Sequence, residues 1–384
     1  MTRTMSNLTS VEICAGAGGQ AVGLHYAGFQ HLALIEIDDN ACKTLELNVK
    51  RMGWEGCQVL QQDVTKFDPQ TLGLGKGQLD LLAGGVPCPP FSLAGKQLGP
   101  DDERDLFPTM LDLVDFLEPK AVMIENVRGL LEPPAKFQDY RENVIMKRLQ
   151  EAGYEICMWD VLDSCDYGVP QLRPRAILVA MRPGYAEHFV RPDPEQIEMV
   201  TVGKALKDSM RERFKGEGRP GWEEAYGSWY DSASKGIAPT LVGGSKKHGG
   251  ADLGPSRAKE AWKQLGVNGL GVANDPENCV AERDLYTDRG PMLTVRQAAV
   301  IQGFPEDWQF FGRKTAAYRQ VGNAFPPPVA KAVGEQIRKA LIEGVRRAAQ
   351  PLGGALIDPV DAASDSGSPE LADSSSDLEG ALLG

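Results

Sequence analysis

The chain has 384 residues, 42% of them hydrophobic, and a formal net charge of −12. That length accommodates two domains, or one large domain with an insertion, and the apolar fraction is ordinary for a globular fold. No apolar run reaches the roughly 18 residues of a membrane helix, the amino terminus lacks an apolar signal core, and the cysteines and histidines show no metal-ligand spacing, which argues against membrane, exported and metal-centred classes.

Residues 11–14 are predicted as the first strand, and Gly16-Ala17-Gly18-Gly19-Gln20-Ala21 follows it and opens a helix in the pattern G-x-G-x-x-A. A second strand over 32–35 ends at Glu36, 20 residues after Gly16, where a carboxylate meets ribose hydroxyls. The loop predicts a nucleotide-containing cofactor. It does not separate a nicotinamide dinucleotide from S-adenosylmethionine, since both present an adenosine, and a structural glycine turn is the other reading. After an amphipathic helix over 41–49 and a strand over 58–60, Asp63 is placed either to accept the amino group of adenine or to cap the turn at Thr65-Lys66.

The apolar run 79–83 reads as a buried strand, with Gly84-Gly85 opening a loop that carries Pro87-Cys88-Pro89-Pro90. A thiol there sits at the carboxyl end of a strand, where open α/β sheets bind their ligands, and its proline neighbours restrict the backbone. A helix over 107–117 leads to a strand over 121–124 that ends in Glu125-Asn126. A nucleophile and an acid on two strand ends of one sheet form a catalytic pair. A helix over 143–152 and strands over 156–162 and 176–181 complete the alternation, which predicts an α/β fold with a doubly wound, mostly parallel sheet.

Residues 184–291 are rich in Gly and Pro and poor in periodicity; they hold Trp222, Tyr226, Trp229 and Tyr230, then the basic stretch around Lys246-Lys247-His248. Helical order returns over 293–302 and 328–347. The pattern is that of a small domain inserted late into a sheet domain. From 351 to 384 there are seven acidic residues and no basic ones, so this tail carries −7 of the net charge and leaves −5 elsewhere. Its Ser, Asp, Ala and Gly content predicts a disordered, solubilising tail over 349–384.

In chain order, Ala15-Gly16-Ala17-Gly18-Gly19, Pro87-Cys88-Pro89, Glu125-Asn126-Val127, Gln171-Leu172-Arg173-Pro174-Arg175, Leu293-Thr294-Val295-Arg296-Gln297-Ala298 with Gly303-Phe304-Pro305, and Gln320-Val321-Gly322-Asn323-Ala324 form a set that resembles the DNA cytosine-5 methyltransferase family. The resemblance spans nearly all of the chain outside the tail. It implies a class I, Rossmann-like S-adenosyl-L-methionine-dependent catalytic domain over 1–183, a target-recognition domain over 184–291 and a return segment over 292–348. Cys88 would add to C6 of cytosine, Glu125 would hold the N3/N4 edge, Arg175 would grip O2, Asn126 would support the loop, and Arg173 would favour the thiolate. Cys14, Ala15, Gly16, Gly18, Gly19, Glu36, Ile37, Asp63, Val64, Leu106, Asn323 and Ala324 would form the cofactor site, with Asn323 delivered by the final helix.

Two departures from the family pattern stand out. Cys14 occupies the place of a phenylalanine that stacks on adenine, so Ile37 would carry more of that packing. Gln297 replaces a glutamate, which removes an ion pair with Arg296. The target base would have to leave the duplex to reach Cys88. Ser92, Lys96, Thr240, Ser245, Lys246, Lys247 and Arg257, with Lys259 and Lys263, are the expected DNA contacts. The implied protein is a cytoplasmic, nucleoid-associated monomer without metal or membrane, acting on double-stranded DNA and paired with a restriction or phage-defence nuclease.

Taken singly, Cys88 reads as an inert buried thiol, Glu125 as a cap, and the two arginines as a solvated strand edge. Their conjunction points to catalysis. An RNA cytosine-5 methyltransferase is the nearest alternative, against which stands the long segment 184–291. A nicotinamide-dependent oxidoreductase would leave Cys88, Glu125 and Arg175 without a role.

Overall fold

The computed structural model describes residues 8–87, 105–194, 197–243 and 251–350. Seven strands, β1 (Leu8–Ile13), β2 (Phe29–Glu36), β3 (Gln58–Gln61), β4 (Leu81–Gly84), β5 (Ala121–Val127), β6 (Glu155–Asp163) and β7 (Pro174–Met181), make one sheet in the order β3-β2-β1-β4-β5-β7-β6. All pairs from β3 to β5 are parallel, and β7 runs antiparallel to both of its neighbours. Each predicted strand is present, five of them extended or kept at both ends; β1 starts earlier but stops before Cys14, and β4 begins two residues later than expected and ends one later.

Side chains alternate across the sheet, and both faces are covered. On β5, Val122 and Ile124 enter the core under the helix Phe107–Leu117, whereas Ala121 and Met123 enter the core under the last helix. The helices of the first half are α1 (Gly19–Tyr26), α2 (Asp39–Met52), α3 (Phe107–Leu117) and α4 (Lys147–Glu151), the last continuing a π-helical run from Tyr140 to Met146. Asp38 starts α2 by accepting hydrogen bonds from the Asn40 and Ala41 amides at 3.0 and 3.1 Å.

The region 184–291 departs from the expectation of little periodicity. It folds α5 (Val202–Glu217), α6 (Trp222–Ala233), α7 (Ser256–Gln264) and the short α8 (Ala281–Asp284). On α5 the buried residues Val202, Leu206, Met210 and Phe214 recur every fourth position. This is one narrow stripe among Lys204, Lys207, Asp208, Arg211 and Glu212, so charge dilutes the apolar signal. Nor is the region walled off. Its Leu206, Trp229 and Trp262 share a buried cluster with Val22, Leu34 and Leu45 of α1, β2 and α2, and the chain up to Ala348 forms one unit.

The return segment supplies α9 (Val295–Ile301), α10 (Lys314–Asn323) and α11 (Pro327–Ala348). Gln297 closes a capping box with Thr294 and accepts a hydrogen bond from Arg213 Nη1 at 2.7 Å, while Arg296 donates to the Glu306 carbonyl. The glutamine therefore ties the return segment to α5, and Arg296 has a partner of its own. The tail expectation over 349–384 falls, from residue 351 on, outside the described residues. Among the described residues no helix is long and apolar enough to cross a membrane, and no cluster of potential metal ligands occurs.

Candidate active site

Strand order reverses between β1 and β4, because the chain runs outward through β2 and β3 and then returns to pair β4 with β1. Open α/β sheets bind ligands in the crevice at such a point, beyond the carboxyl ends of the strands. A cavity of about 360 Å³ lies there, lined by Cys14 and Gly16 after β1, Glu36 and Ile37 after β2, Asp63 and Val64 after β3, Gly85 and Pro87 after β4, Leu106 before α3, and Asn323 with Ala324 at the end of α10.

Nine of the twelve expected cofactor residues thus share one cavity. Ala15, Gly18 and Gly19 do not line it. Ala15 is buried, with its amide on the Ile35 carbonyl. A Cβ on Gly18 would lie 2.8 Å from Trp308, and one on Gly19 would lie 2.2 Å from the Phe325 carbonyl oxygen. These two glycines admit the return segment rather than a ligand, and Trp308 Nε1 donates to the Ala17 carbonyl at 3.1 Å in the same joint. Gly16, at φ 54°, has open space where a Cβ would stand. Asn323 also differs from expectation, since it closes α10 and not the final helix.

The polar groups of the wall suit an adenosine. Glu36 accepts from the amides of Gly16 at 2.7 Å and of Ile37 and Asp38 at 2.8 Å. A carboxylate has about four acceptor positions, so Glu36 is held rigidly with one left for a ribose hydroxyl. Asp63 uses Oδ1 to hold the amide and hydroxyl of Thr65 at 3.0 and 2.8 Å, and these bonds hold its carboxyl below the usual range. It is therefore a cap, and Oδ2 is still free for an adenine amino group. Ile37 is 65% exposed although apolar, which suits a wall against a flat ring. Burial, then the charge of Glu36, pushes the Cys14 thiol up to about 12, so it is a neutral, unreactive wall group.

A second polar group stands at the ends of β4, β5 and β7. Arg175 Nε lies 2.8 Å from Glu125 Oε1, both side chains retaining 14% of their exposure. Glu125 faces Ile177 across the strands, so Arg175 is its diagonal neighbour, within reach of a long side chain. A Cβ on Gly85 would lie 3.0 Å from Glu125 Oε2, which puts this carboxylate against the loop leading to Cys88. Burial raises the Glu125 carboxyl above its ordinary value, and the guanidiniums of Arg175 and Arg173 pull it back. Asn126 donates to the Val86 carbonyl at 2.9 Å and pins the same loop two residues before Cys88.

Arg173 is held by main chain from two other segments. Its guanidinium is fully buried and donates to the Leu241 carbonyl at 2.7 Å and the Gly322 carbonyl at 3.0 Å. Two of its donors are spent on main chain, so Arg173 joins β7, the segment at 241 and α10, while its buried Nε has no hydrogen-bond partner among the described residues; Cys88, the thiol it was expected to favour, lies outside them. Gln171, which carried no assigned role, belongs to the same joint. It accepts from the Leu241 amide at 2.7 Å and donates to Gln302 at 2.7 Å.

Of the DNA-contact residues, Thr240 donates its hydroxyl to the Leu172 carbonyl at 2.5 Å, which makes it part of this joint. Lys259 is paired with Asp252 at 2.9 Å. Arg257 and Lys263 are exposed on α7. Cys88, Ser92, Lys96, Ser245, Lys246, Lys247 and His248 lie outside the described residues. Motif order could have flagged Gln171, but nothing in the sequence separates its packing role from a catalytic one.

The family model for C-5 cytosine-specific DNA methylase matches residues 8–339. The chain is 50% identical over 349 residues to the type II methyltransferase M.NaeI of Lentzea aerocolonigenes, covering 89% of this chain and 78% of that protein. It is also 50% identical to the type II methyltransferase M.NgoMIV of Neisseria gonorrhoeae, covering 87% and 98% respectively. Among solved structures, a DNA modification methyltransferase encoded within an E. coli prophage superposes with a TM-score of 0.57 at 22% identity, covering 88% of this chain and 99% of that one, a likeness of fold. A matched model across nearly the whole folded chain and relatives at half identity place this protein in the C-5 cytosine-specific DNA methylase family, as a DNA cytosine-5 methyltransferase.

Proposed function

We propose that the protein transfers a methyl group from S-adenosyl-L-methionine to C5 of a cytosine flipped out of a specific duplex sequence, through a covalent bond between Cys88 and C6. The observation that carries this reading is the largely buried Glu125–Arg175 pair against the loop leading to Cys88, at the same carboxyl edge of the sheet as the cavity lined by Glu36, Ile37 and Asp63. When bound, the cofactor supplies an electrophilic methyl group on a positively charged sulfur. Glu36, Ile37, Asp63, Val64 and Leu106 would hold its adenosine part.

Carbon 5 of cytosine is a weak nucleophile until C6 gains a bond. The Cys88 thiolate forms that bond, and the ring's electron pair moves toward N3 and C5. Glu125, with its carboxyl raised by burial, is suited to share a proton with N3 as charge develops there. Arg175 still has guanidinium donors for O2 beyond those on Glu125 and Pro174. C5 then takes the methyl group as the donor's S–CH3 bond breaks, the electron pair of that bond staying on sulfur to leave the neutral thioether S-adenosylhomocysteine. A water removes the C5 proton, the electrons return to the ring, and the S–C6 bond breaks to regenerate the thiolate. Five described cysteines have thiols pushed up to about 11 or 12, chiefly by burial, and Cys279 is raised as well. None of these six is suited to be a nucleophile.

Residues 184–291 are proposed as the target-recognition region, with 1–183 and 292–348 making the catalytic part. Lys246, Lys247 and Arg257 would meet phosphates or guanine edges. Pairing with a restriction or defence nuclease, and action as a monomer, complete the proposal; the relatives named type II methyltransferases support the first.

Bisulfite sequencing of plasmid and of total RNA from a host expressing the chain tests the substrate. The expected result is 5-methylcytosine at one DNA sequence. Cys88→Ala is expected to abolish it while the protein still binds S-adenosylhomocysteine, and a 5-fluorocytosine duplex of that sequence is expected to trap the wild type irreversibly. Methylation by the alanine variant, or modified RNA with unmodified DNA, defeats the proposal.

A further inference from the structure

The cavity wall contains three carboxylates and, among the described residues, one cation, Arg319. Each carboxylate has a structural partner: Glu36 holds three amides, Asp38 caps α2, and Asp63 holds Thr65. Gln320 beside Arg319 is likewise committed, accepting from the Thr44 hydroxyl at 2.6 Å and donating to the Phe311 carbonyl at 2.8 Å. Arg319 differs from all of them. Its Nε is shielded from solvent and has no hydrogen-bond partner among the described residues. Positions 316, 319, 320 and 323 line the cavity together, as the i, i+3, i+4 and i+7 spacing of one helix face requires.

A guanidinium Nε–H shielded from water and left without an acceptor is costly unless a ligand supplies one. The anionic end of the cofactor is the carboxylate of its amino-acid part, and planar guanidinium matches planar carboxylate through paired hydrogen bonds. We propose that Arg319 recognises this carboxylate and lets the cavity distinguish the intact cofactor from adenosine fragments that lack the amino acid. The inference rests on the cavity being the cofactor site.

The test is calorimetric titration of the full-length protein, without DNA, with S-adenosylhomocysteine and with methylthioadenosine, which keeps the adenosine and the sulfur but has no amino-acid part. Arg319→Met is expected to weaken S-adenosylhomocysteine by about tenfold to a hundredfold, the range for a hydrogen bond to a charged group. Methylthioadenosine affinity is expected to stay the same, so the preference for the intact ligand collapses. Arg319→Lys, which retains the charge, is expected to restore part of it and guards against a general disturbance of α10. Equal weakening of both ligands, or of neither, overturns the assignment. So does loss of plasmid-DNA affinity with S-adenosylhomocysteine binding intact, which would give Arg319 to a phosphate. If the wild type binds neither ligand, the cofactor reading fails first and takes this inference with it.

Discussion

A single residue can be decided by burial alone, and His31 shows how. It sits inside the molecule beside Trp54, with Ser10 Oγ 2.8 Å from Nδ1 and the Ala21 carbonyl 2.9 Å from Nε2. The neutral ring satisfies both, with the serine hydroxyl donating to Nδ1 and Nε2–H donating to the carbonyl. Burial lowers its pKa from 6.5 to about 4. The folded state therefore refuses a proton that the unfolded chain accepts, and the stability from neutral His31 is present above 6.5 and lost as pH falls toward 4. The whole shift is worth about 3 kcal/mol. His31→Gln is expected to flatten this part of the acid dependence, read as urea unfolding free energy at several pH values across that window. An unchanged slope would mean that His31 already carries its proton in the fold.

At the scale of elements, the joint around Arg173 holds the molecule's functional parts in register. The main chain at 170–172 pairs with that at 238, through Ala238 N to the Pro170 carbonyl at 3.0 Å and Leu172 N to the Ala238 carbonyl at 2.8 Å. Arg173 then reaches Leu241 and Gly322, and a Cβ on Gly322 would meet the Gly243 amide nitrogen at 2.3 Å, so two backbones touch there. Arg173→Met would leave two buried carbonyls without donors, at about 2–4 kcal/mol. Urea unfolding should report that loss, and the Glu125 carboxyl, relieved of one of the two guanidiniums that hold it down, should shift the pH dependence of 5-fluorocytosine adduct formation upward. An unmoved pH dependence would mean that Arg173 does not act on Glu125. Arg173 reads as a catalytic residue in the sequence and Gln171 has no assigned role there; the partners of both in this joint lie 68 to 149 positions away, which no local pattern can specify.

For the whole molecule, charge is unevenly divided along the chain. The stretch 351–384 carries −7 of the −12, so removing residues 349–384 leaves −5. A DNA-binding protein with less negative charge meets less repulsion from phosphates, and that repulsion is screened over about 10 Å in 0.1 M salt. The truncated chain is expected to bind plasmid DNA more tightly at low ionic strength, with the difference vanishing in high salt. Fluorescence titration across a salt series checks it. A gap that persists in high salt would mean that the stretch acts by specific contact and not by its charge.

Strand number and approximate strand positions were legible in the sequence, because a sheet buried on both faces leaves apolar runs such as Leu81-Leu82-Ala83, and the family was legible in the order of its motifs. The helices of 184–291 were hidden, since the four-residue stripe of α5 is thin against its charges. Motif order alone brought Cys88, Glu125 and Arg175 together as a reacting group, and the fold adds the 2.8 Å pair between the last two. Only tertiary structure decided that Gly16 faces the cavity while Gly18 and Gly19 face Trp308 and Phe325, and that the Arg319 Nε stands on its wall without a partner among the described residues. The physical reason is that composition and periodicity encode which residues leave water, whereas the partner each buried polar group or glycine meets depends on segments brought back from elsewhere in the chain.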